Sequence, residues 1–208
     1  SMKVILVNGS PHHHGCTYTA LDEVARELEK CGIETEHFWI GAKSVANCIA
    51  CGKCIGTGKC WYDDDTLNAF LDKAAEADAF VFGSPIYYAG VSGQLKSFLD
   101  RAFYGKSSLY ANKPAACVVS CRRGGASAGW DDINKFFGIC NMPIVTSQYW
   151  NQVHGNTPEE VLQDAEGLQT MRRLAQNMAW LLKSIEAGRA AGVPEPAVEP
   201  TVKTNFIR

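Results

Sequence analysis

Two kinds of apolar pattern alternate along this chain. Short runs that are almost wholly apolar, or that alternate strictly with polar residues, are typical of β-strands, whereas apolar residues three and four positions apart are typical of α-helices. The strand patterns predict strands at residues 3–8, 33–40, 79–82, 115–120 and 143–146. The helical patterns predict helices at residues 17–30, 65–75, 95–102, 127–137 and 158–185. The chain therefore repeats a strand followed by a helix five times.

Such a repeat predicts an α/β fold, because right-handed crossovers place successive strands parallel and their helices on the two faces of one sheet. We expect a doubly wound, five-stranded parallel sheet with helices on both faces, in three layers. One domain is expected at residues 2–186, with a cysteine-rich insertion at about residues 41–62, here called the cysteine segment. Residues 187–208 contain Pro194, Pro196 and Pro200 and are predicted to form an extended C-terminal arm.

Composition narrows the classes of function. The chain has 208 residues, 46% of them hydrophobic, and a formal net charge of −2. Its lysines and arginines are spread along the chain, so no nucleic-acid partner is expected. No apolar run is long enough to span a membrane, and we expect a cytoplasmic protein without a membrane partner. The nine cysteines are therefore interpreted as reduced thiols or metal ligands.

Ligands of an open α/β sheet bind beyond the carboxyl ends of the strands, and three loops there are unusual. The first loop, residues 9–17, enters a helix N-terminus, where backbone N–H groups favour an anion. It offers Ser10, Cys16 and Thr17 but no lysine or arginine, which favours a monophosphate over a nucleoside triphosphate. Its glycine and proline are also ordinary turn residues, so the phosphate interpretation depends on agreement with the other loops.

The second and third loops are predicted to complete this site. The second loop, residues 84–93, places two tyrosines among small residues, which would suit a flat aromatic ligand. The third loop, residues 120–125, combines positive charge with glycine, and a cation beside a flavin ring would favour its reduced form. The alternative is that the tyrosines pack under a loop and the arginines are solvated. The candidate residues are Ser84, Pro85, Ile86, Tyr87, Tyr88, Ser120, Arg122, Arg123 and Gly124.

Four cysteines lie within thirteen residues of the cysteine segment, at Cys48, Cys51, Cys54 and Cys60. Ferredoxins use a similarly compact run to bind an iron–sulfur cluster. Structural zinc sites more often separate two pairs of cysteines by a longer spacer. A [4Fe–4S] cluster is therefore favoured, while free or redox-active thiols and a zinc ion remain open alternatives.

The motifs together resemble those of the flavodoxin-like NAD(P)H-dependent FMN reductases, specifically the iron–sulfur flavoprotein branch. The resemblance covers residues 3–185 and rests on Gly9-Ser10-Pro11 with Thr17, on 83–87 with 93–96, and on the cysteine run. It implies that Ser10, His12, Cys16 and Thr17 surround the phosphate of FMN, and that Pro85, Ile86, Tyr87 and Tyr88 border its ring. Cys16 departs from the serine or asparagine more usual there, and a thiol is a weaker hydrogen-bond donor.

We therefore predict a flavin-dependent NAD(P)H oxidoreductase in which the cofactor does the chemistry and no catalytic side-chain set is needed. The electron donor is expected to be NAD(P)H or ferredoxin, and the acceptor a small molecule or a protein. The resemblance also implies a homodimer or homotetramer. Two alternatives remain: a non-enzymatic, flavodoxin-type electron carrier, and a zinc-stabilised α/β interaction protein without flavin.

Overall fold

A computed structural model describes residues 1–207 of the chain. The strands are β1 (Lys3–Asn8), β2 (Glu34–Trp39), β3 (Ala79–Tyr87), β4 (Gly90–Val91), β5 (Ala115–Cys121) and β6 (Gln152–His154). The helices are α1 (Cys16–Lys30), α2 (Leu67–Glu76), α3 (Gly93–Tyr104), α4 (Ala126–Ile139), α5 (Pro158–Val161) and α6 (Ala165–Ala190). A single 3₁₀ turn at Ser107–Leu109 lies between α3 and β5.

Five strands form a parallel sheet in the order β2-β1-β3-β5-β6, and β4 pairs antiparallel with β3 as a short hairpin. The strand order reverses beside β1, as in doubly wound sheets. The predicted α/β fold with a five-stranded parallel sheet is confirmed.

Each face of the sheet has its own apolar core. One core contains Phe80 and Phe82 of β3 packed against α2, α3 and α4. The other contains Leu6 of β1 and Val81 of β3 packed against α1, α5 and α6. Side chains of a strand alternate between faces, which is why successive residues of β3 belong to different cores. Burying each large apolar side chain contributes about 1.5–3 kcal/mol, so the two cores stabilise the three-layer arrangement that carries the loops at the sheet edge.

The predicted fifth strand at residues 143–146 is wrong. Ile144 makes only an isolated bridge to Ala115, at the beginning of β5. The chain then leaves the sheet and returns as β6 beside the other end of β5, where Val119 pairs with Gln152. Pro143 lacks a backbone N–H, which prevents a regular ladder at the apolar run.

Two further boundaries differ from prediction. Strand β3 continues through Ser84 and Pro85 to Tyr87, instead of ending at residue 82, because its last residues pair with β4. The predicted helix at 158–185 is two helices, since Asp164 caps α6 by accepting a hydrogen bond of 2.9 Å from Gly167 N. Helix α6 then continues to Ala190, so the extended arm begins after that residue.

The cysteine segment lies between β2 and α2 and contains neither helix nor strand. Within residues 1–207, none of the helices is both long enough and apolar enough to cross a membrane.

Candidate functional site

The three loops predicted to bind a cofactor meet at the carboxyl edge of the sheet. Gly9 N donates a hydrogen bond of 2.9 Å to Gly83 O, which joins the first loop to β3. The Thr17 and Ser120 hydroxyls lie 2.9 Å apart and join the start of α1 to the end of β5. The parallel register that aligns Asn8 with Gly83 brings these strand ends level.

The first loop is held by two residues that the sequence analysis did not single out. Asn8 is buried, accepts a hydrogen bond from Ser10 N at 3.0 Å and donates one to His13 O at 3.0 Å. Trp39 Nε1 donates to Ser10 O at 2.8 Å, and its ring stacks on His13 at 4.2 Å. Both residues end a strand at this edge, which is the signal that could have identified them. The loop is therefore ordered by the protein itself.

The N-terminus of α1 is open to a ligand. Its N-cap is Gly15, no side chain caps the helix, and its first turn contains no acidic residue. The unpaired N–H groups and the positive end of the helix dipole consequently face a site where no side-chain acceptor or acidic residue of the first turn balances them. A cavity of about 500 Å³ lies against it, lined by residues 11–16 with Asn156 and Pro158. This arrangement suits an anion.

The candidate residues of the first loop have different environments. Ser10 is buried, and its hydroxyl accepts a hydrogen bond of 3.1 Å from His12 N. His12 is exposed at the cavity. The Cys16 thiol is half-buried 3.7 Å from Gly155 O, and burial raises its pKa. Thr17 is buried, with its hydroxyl bonded to that of Ser120.

The second loop is a tight hairpin between β3 and β4. Tyr88 and Ala89 form its tip with φ angles of 51° and 60°, a conformation that side chains other than glycine adopt at a cost. Tyr87 and Tyr88 are exposed, whereas Pro85 and Ile86 are half-buried. Ser84 is fully buried and accepts a hydrogen bond of 3.1 Å from Ser92 N, so its hydroxyl stabilises the hairpin.

The third loop contacts the second at Gly125. A Cβ atom at this glycine would lie 2.7 Å from Ala89 Cα, and its φ of 88° also favours glycine. Arg122, Arg123 and Gly124 are exposed beside this contact. Within residues 1–207, neither arginine has an ion-pair partner, so both positive charges are available to a ligand.

A second site lies in the cysteine segment. Cys48, Cys51, Cys54 and Cys60 all line one cavity of about 220 Å³. Two of the sulfurs already accept hydrogen bonds: Cys48 Sγ from Ala50 N at 3.4 Å, and Cys60 Sγ from Arg101 Nε at 3.3 Å. Burial raises the pKa of the Cys54 thiol, with smaller contributions from the other three cysteines. The segment thus brings the four predicted ligands to one cavity.

The cysteines surround this space without meeting at one point. Over residues 1–207, no three histidine, cysteine or acidic side chains lie close enough together to bind a single metal ion. A four-iron cluster has a different requirement, since each thiolate binds a separate iron at a corner of the cluster. The four thiols and the cavity that they line are the features on which a cluster or a zinc ion could be proposed here.

Buried polar residues on two helices hold the cysteine segment in place. Asn68 of α2 accepts from Cys60 N at 2.9 Å and donates to Cys60 O at 2.8 Å. Arg101 of α3 forms an ion pair with Asp65 and contacts the segment at several atoms. The sequence analysis missed both residues because each occupies a position on a helix face that otherwise packs in the apolar core.

Comparison with known proteins adds independent evidence. A family model described as NADPH-dependent FMN reductase matches residues 2–157. An iron–sulfur flavoprotein of Methanocaldococcus jannaschii is 34% identical over 193 residues, which are 89% of this chain and 100% of that protein.

Solved structures of flavin proteins share the fold. RosB, solved with bound 8-demethyl-8-formylriboflavin-5'-phosphate, has a TM-score of 0.71 and 18% identity, covering 100% of this chain and 94% of its own. A flavodoxin from the domain Archaea has a TM-score of 0.60 and 16% identity over 88% of this chain and 99% of its own. The flavodoxin-like class predicted from the sequence is confirmed.

Proposed function

This chain belongs to the NADPH-dependent FMN reductase family, and we propose that its three joined loops hold FMN while its four clustered cysteines hold a [4Fe–4S] cluster. The chain is a flavin-dependent oxidoreductase, with NAD(P)H as the electron donor that its family indicates. The observation that carries the FMN proposal is the uncapped N-terminus of α1 within an already ordered loop.

The phosphate of FMN would lie at the start of α1. The backbone N–H groups of the first helical turn would bind its oxygens, and the helix dipole would favour its charge. Ser10, His12, Cys16 and Thr17 are the side chains proposed to surround it. Ser10 and Thr17 already have hydrogen-bond partners, so their main contribution is to fix the loop.

The ring of FMN would lie between the second and third loops. Pro85, Ile86, Tyr87 and Tyr88 would border it from the hairpin, with Ser84 closing the turn beneath. Ser120, Arg122, Arg123 and Gly124 would approach from the third loop. FMN, when bound, supplies the chemistry of accepting two electrons and passing them on singly or together. The exposed arginines would favour electron uptake by placing positive charge near the ring.

The cluster is proposed on the donor set and the cavity of the cysteine segment. Four thiols line one space, and N–H groups already point at two of the sulfurs. Such hydrogen bonds stabilise thiolate ligands of iron–sulfur clusters. A cluster there would supply one-electron transfer between the flavin and an acceptor.

The remaining partners are proposed more broadly. Reduced ferredoxin is a second candidate donor, and the acceptor is proposed to be a small molecule or a protein. A homodimer or homotetramer is also proposed, supported by large exposed apolar side chains that include Tyr88, Ile139 and Trp180.

The phosphate site is tested with two substitutions at Gly15 that have the same shape and differ in charge. Aspartate at this N-cap would place a carboxylate where the phosphate is proposed, whereas Gly15→Asn introduces a side chain of the same shape without the charge. We expect the wild-type chain and Gly15→Asn to bind FMN more tightly than riboflavin, and Gly15→Asp to lose that preference. Equal FMN affinity in the two variants, measured by fluorescence titration, would contradict the site.

The cluster is tested on protein purified without oxygen. We expect flavin and cluster absorption together, with iron and acid-labile sulfide in the one-to-one ratio of the cluster. Cys51→Ser and Cys54→Ser should lose the iron, while Cys31→Ser, outside the cysteine segment, should keep it. Zinc without sulfide would support the single-ion alternative. NAD(P)H oxidation with a quinone or a dye as acceptor would separate the enzyme from a flavodoxin-type carrier.

A further inference from the structure

Helix α3 presents a buried guanidinium to the cysteine segment. The side chain of Arg101 is 2% exposed and that of its partner Asp65 is 5% exposed, and Arg101 Nη1 lies 2.5 Å from Asp65 Oδ2. Arginine is rarely buried this completely unless every donor has a partner. The partners of its remaining N–H groups therefore show what the arginine does.

Two of these partners are backbone carbonyls on either side of the cysteines. Nη1 donates to Ala46 O at 3.2 Å and Nη2 donates to Tyr62 O at 2.8 Å. Ala46 precedes Cys48 by two positions, and Tyr62 follows Cys60 by two positions. One planar group thus holds both ends of the run of cysteines together.

The third partner is a proposed cluster ligand. Arg101 Nε donates to Cys60 Sγ at 3.3 Å, within the range of a hydrogen bond to sulfur. Asp65 accepts from Nη1 and Nη2, so the group presents the positive end of an oriented ion pair to the sulfur.

One turn after Arg101, the C-cap residue of α3 contacts a second cysteine. A Cβ atom at Gly105 would lie 2.7 Å from Cys54 Cβ and 2.9 Å from Cys54 Sγ. Residues four apart lie on the same face of a helix, and Arg101 and Gly105 are so related. The end of α3 is therefore shaped to receive the cysteine segment.

We propose that Arg101 is a positioning residue that closes the cysteine segment and directs one N–H group at Cys60, where it stabilises the reduced form of the cluster. The redox half of this statement rests on the proposed cluster, whereas the closing of the segment concerns the chain alone. A bound cluster would accept one electron from the reduced flavin and gain one negative charge, with no bond made or broken. An N–H donor to a ligand sulfur stabilises that added charge and raises the reduction potential.

The first test needs no cluster. Lysine at position 101 keeps a positive charge beside Asp65 but loses the planar fork that binds two carbonyls and a sulfur at once. Trypsin can cleave the cysteine segment after Lys53 or Lys59. In cluster-free protein, we expect Arg101→Lys and the doubly neutral Arg101→Gln/Asp65→Asn to be cleaved there at least several-fold faster than the wild type. Lys96→Gln, on the exposed face of the same helix, is the control.

The second test follows the loaded protein. After anaerobic reconstitution with iron and sulfide, Arg101→Lys should show an altered electron paramagnetic resonance spectrum when reduced by dithionite. Its ratio of reduced to oxidised cluster at a fixed potential should fall at least tenfold, a shift of about 59 mV for one electron. Loss of the cluster from both Arg101 variants, with Lys96→Gln still loaded, would equally support the closing role.

The results that contradict this assignment differ from those that contradict the cluster. Wild-type cleavage rates in both Arg101 variants would overturn the closing role, and an unchanged spectrum and potential in Arg101→Lys would overturn the redox role. A wild-type chain that takes up no iron would instead refute the cluster and the redox role with it, while the cleavage rates would still decide the closing role. FMN affinity should stay at the wild-type value in both Arg101 variants.

Discussion

The hydroxyl groups of Thr17 and Ser120 lie 2.9 Å apart, and both residues are buried. Thr17 lies in the first turn of α1 and Ser120 lies near the end of β5, so this hydrogen bond joins two loops through residues that are 103 positions apart in the chain. It fixes the helix N-terminus that is proposed to bind phosphate against the strand end that is proposed to approach the flavin ring.

We expect Thr17→Val to lower the free energy of unfolding by about 1–3 kcal/mol, because the Ser120 hydroxyl is left buried without a partner. Ser120→Ala should have a similar effect. The double variant should lose less than the sum of the two, since it leaves no unpaired group. Urea unfolding of the cofactor-free protein measures all three values. Strictly additive losses would show that the bond does not join the loops.

Helix α4 provides a matched pair of glycines. A Cβ atom at Gly129 would lie 2.3 Å from Ile86 Cδ1, whereas one at Gly138 would meet nothing within 4 Å. Gly138→Ala should raise the free energy of unfolding by about 0.5–1 kcal/mol, because alanine is the better helix former. Gly129→Ala should displace Ile86 and weaken FMN binding by about tenfold, equivalent to about 1.4 kcal/mol. Isothermal titration with FMN checks the difference, and equal affinities would contradict the proposed contact with the ring.

Backbone strain at the hairpin tip should lower the free energy of unfolding of the protein. Tyr88 and Ala89 occupy the left-handed region, which costs roughly 1–2 kcal/mol per residue other than glycine. Ala89→Gly should therefore raise the free energy of unfolding by about 0.5–1 kcal/mol after allowing for the entropy of the unfolded glycine. The same change at exposed Ala128 within α4 should lower it by about as much. Loss of stability in Ala89→Gly, measured by urea unfolding, would contradict strain at the tip.

Much of this architecture was predictable because periodicity reports local structure directly. The bounds of α1 and β5 differ from prediction by only one residue at one end. The prediction of the last strand was wrong because it followed the more apolar stretch, Ile144 and Val145. The position of β6 depends instead on buried Asn151, which donates a hydrogen bond to Cys117 O at 3.1 Å and accepts one from Ser147 Oγ at 2.6 Å. Such polar contacts leave no periodic signal in the sequence.

His37 makes stability depend on pH. It lies on β2 beside Asp22, and burial lowers its pKa below the ordinary 6.5, although Asp22 opposes this shift. The unfolded chain consequently binds more protons between the lowered value and 6.5, so stability is fully present above pH 6.5 and falls as the pH drops through that interval. His37→Gln should remove this component, and His12→Gln, at an exposed position, should retain it. Urea unfolding at several pH values between about 5 and 8 measures both.

Sequence reasoning proposes candidate residues where the chemistry depends on residue type, and it misses the residues that support them through hydrogen bonds. The spacing of Cys48 to Cys60 indicates a shared ligand, and the structure brings all four thiols to one cavity. Asn8 and Trp39 fix the first loop through backbone carbonyls and amides, and a single sequence does not reveal such partners. Arg101 was missed for a further reason: a single charged residue on an apolar helix face does not indicate which acidic residue it pairs with.

The convergence of Ala46 and Tyr62 on one side chain has a consequence for engineering. Because the two carbonyls are bound by the same guanidinium, the intervening stretch leaves and re-enters the α/β body at almost one point in space. The stretch can therefore be exchanged without changing the path of the rest of the chain. A short linker could replace it, or it could be moved to another flavin-binding protein that has an arginine one helical turn before a small residue.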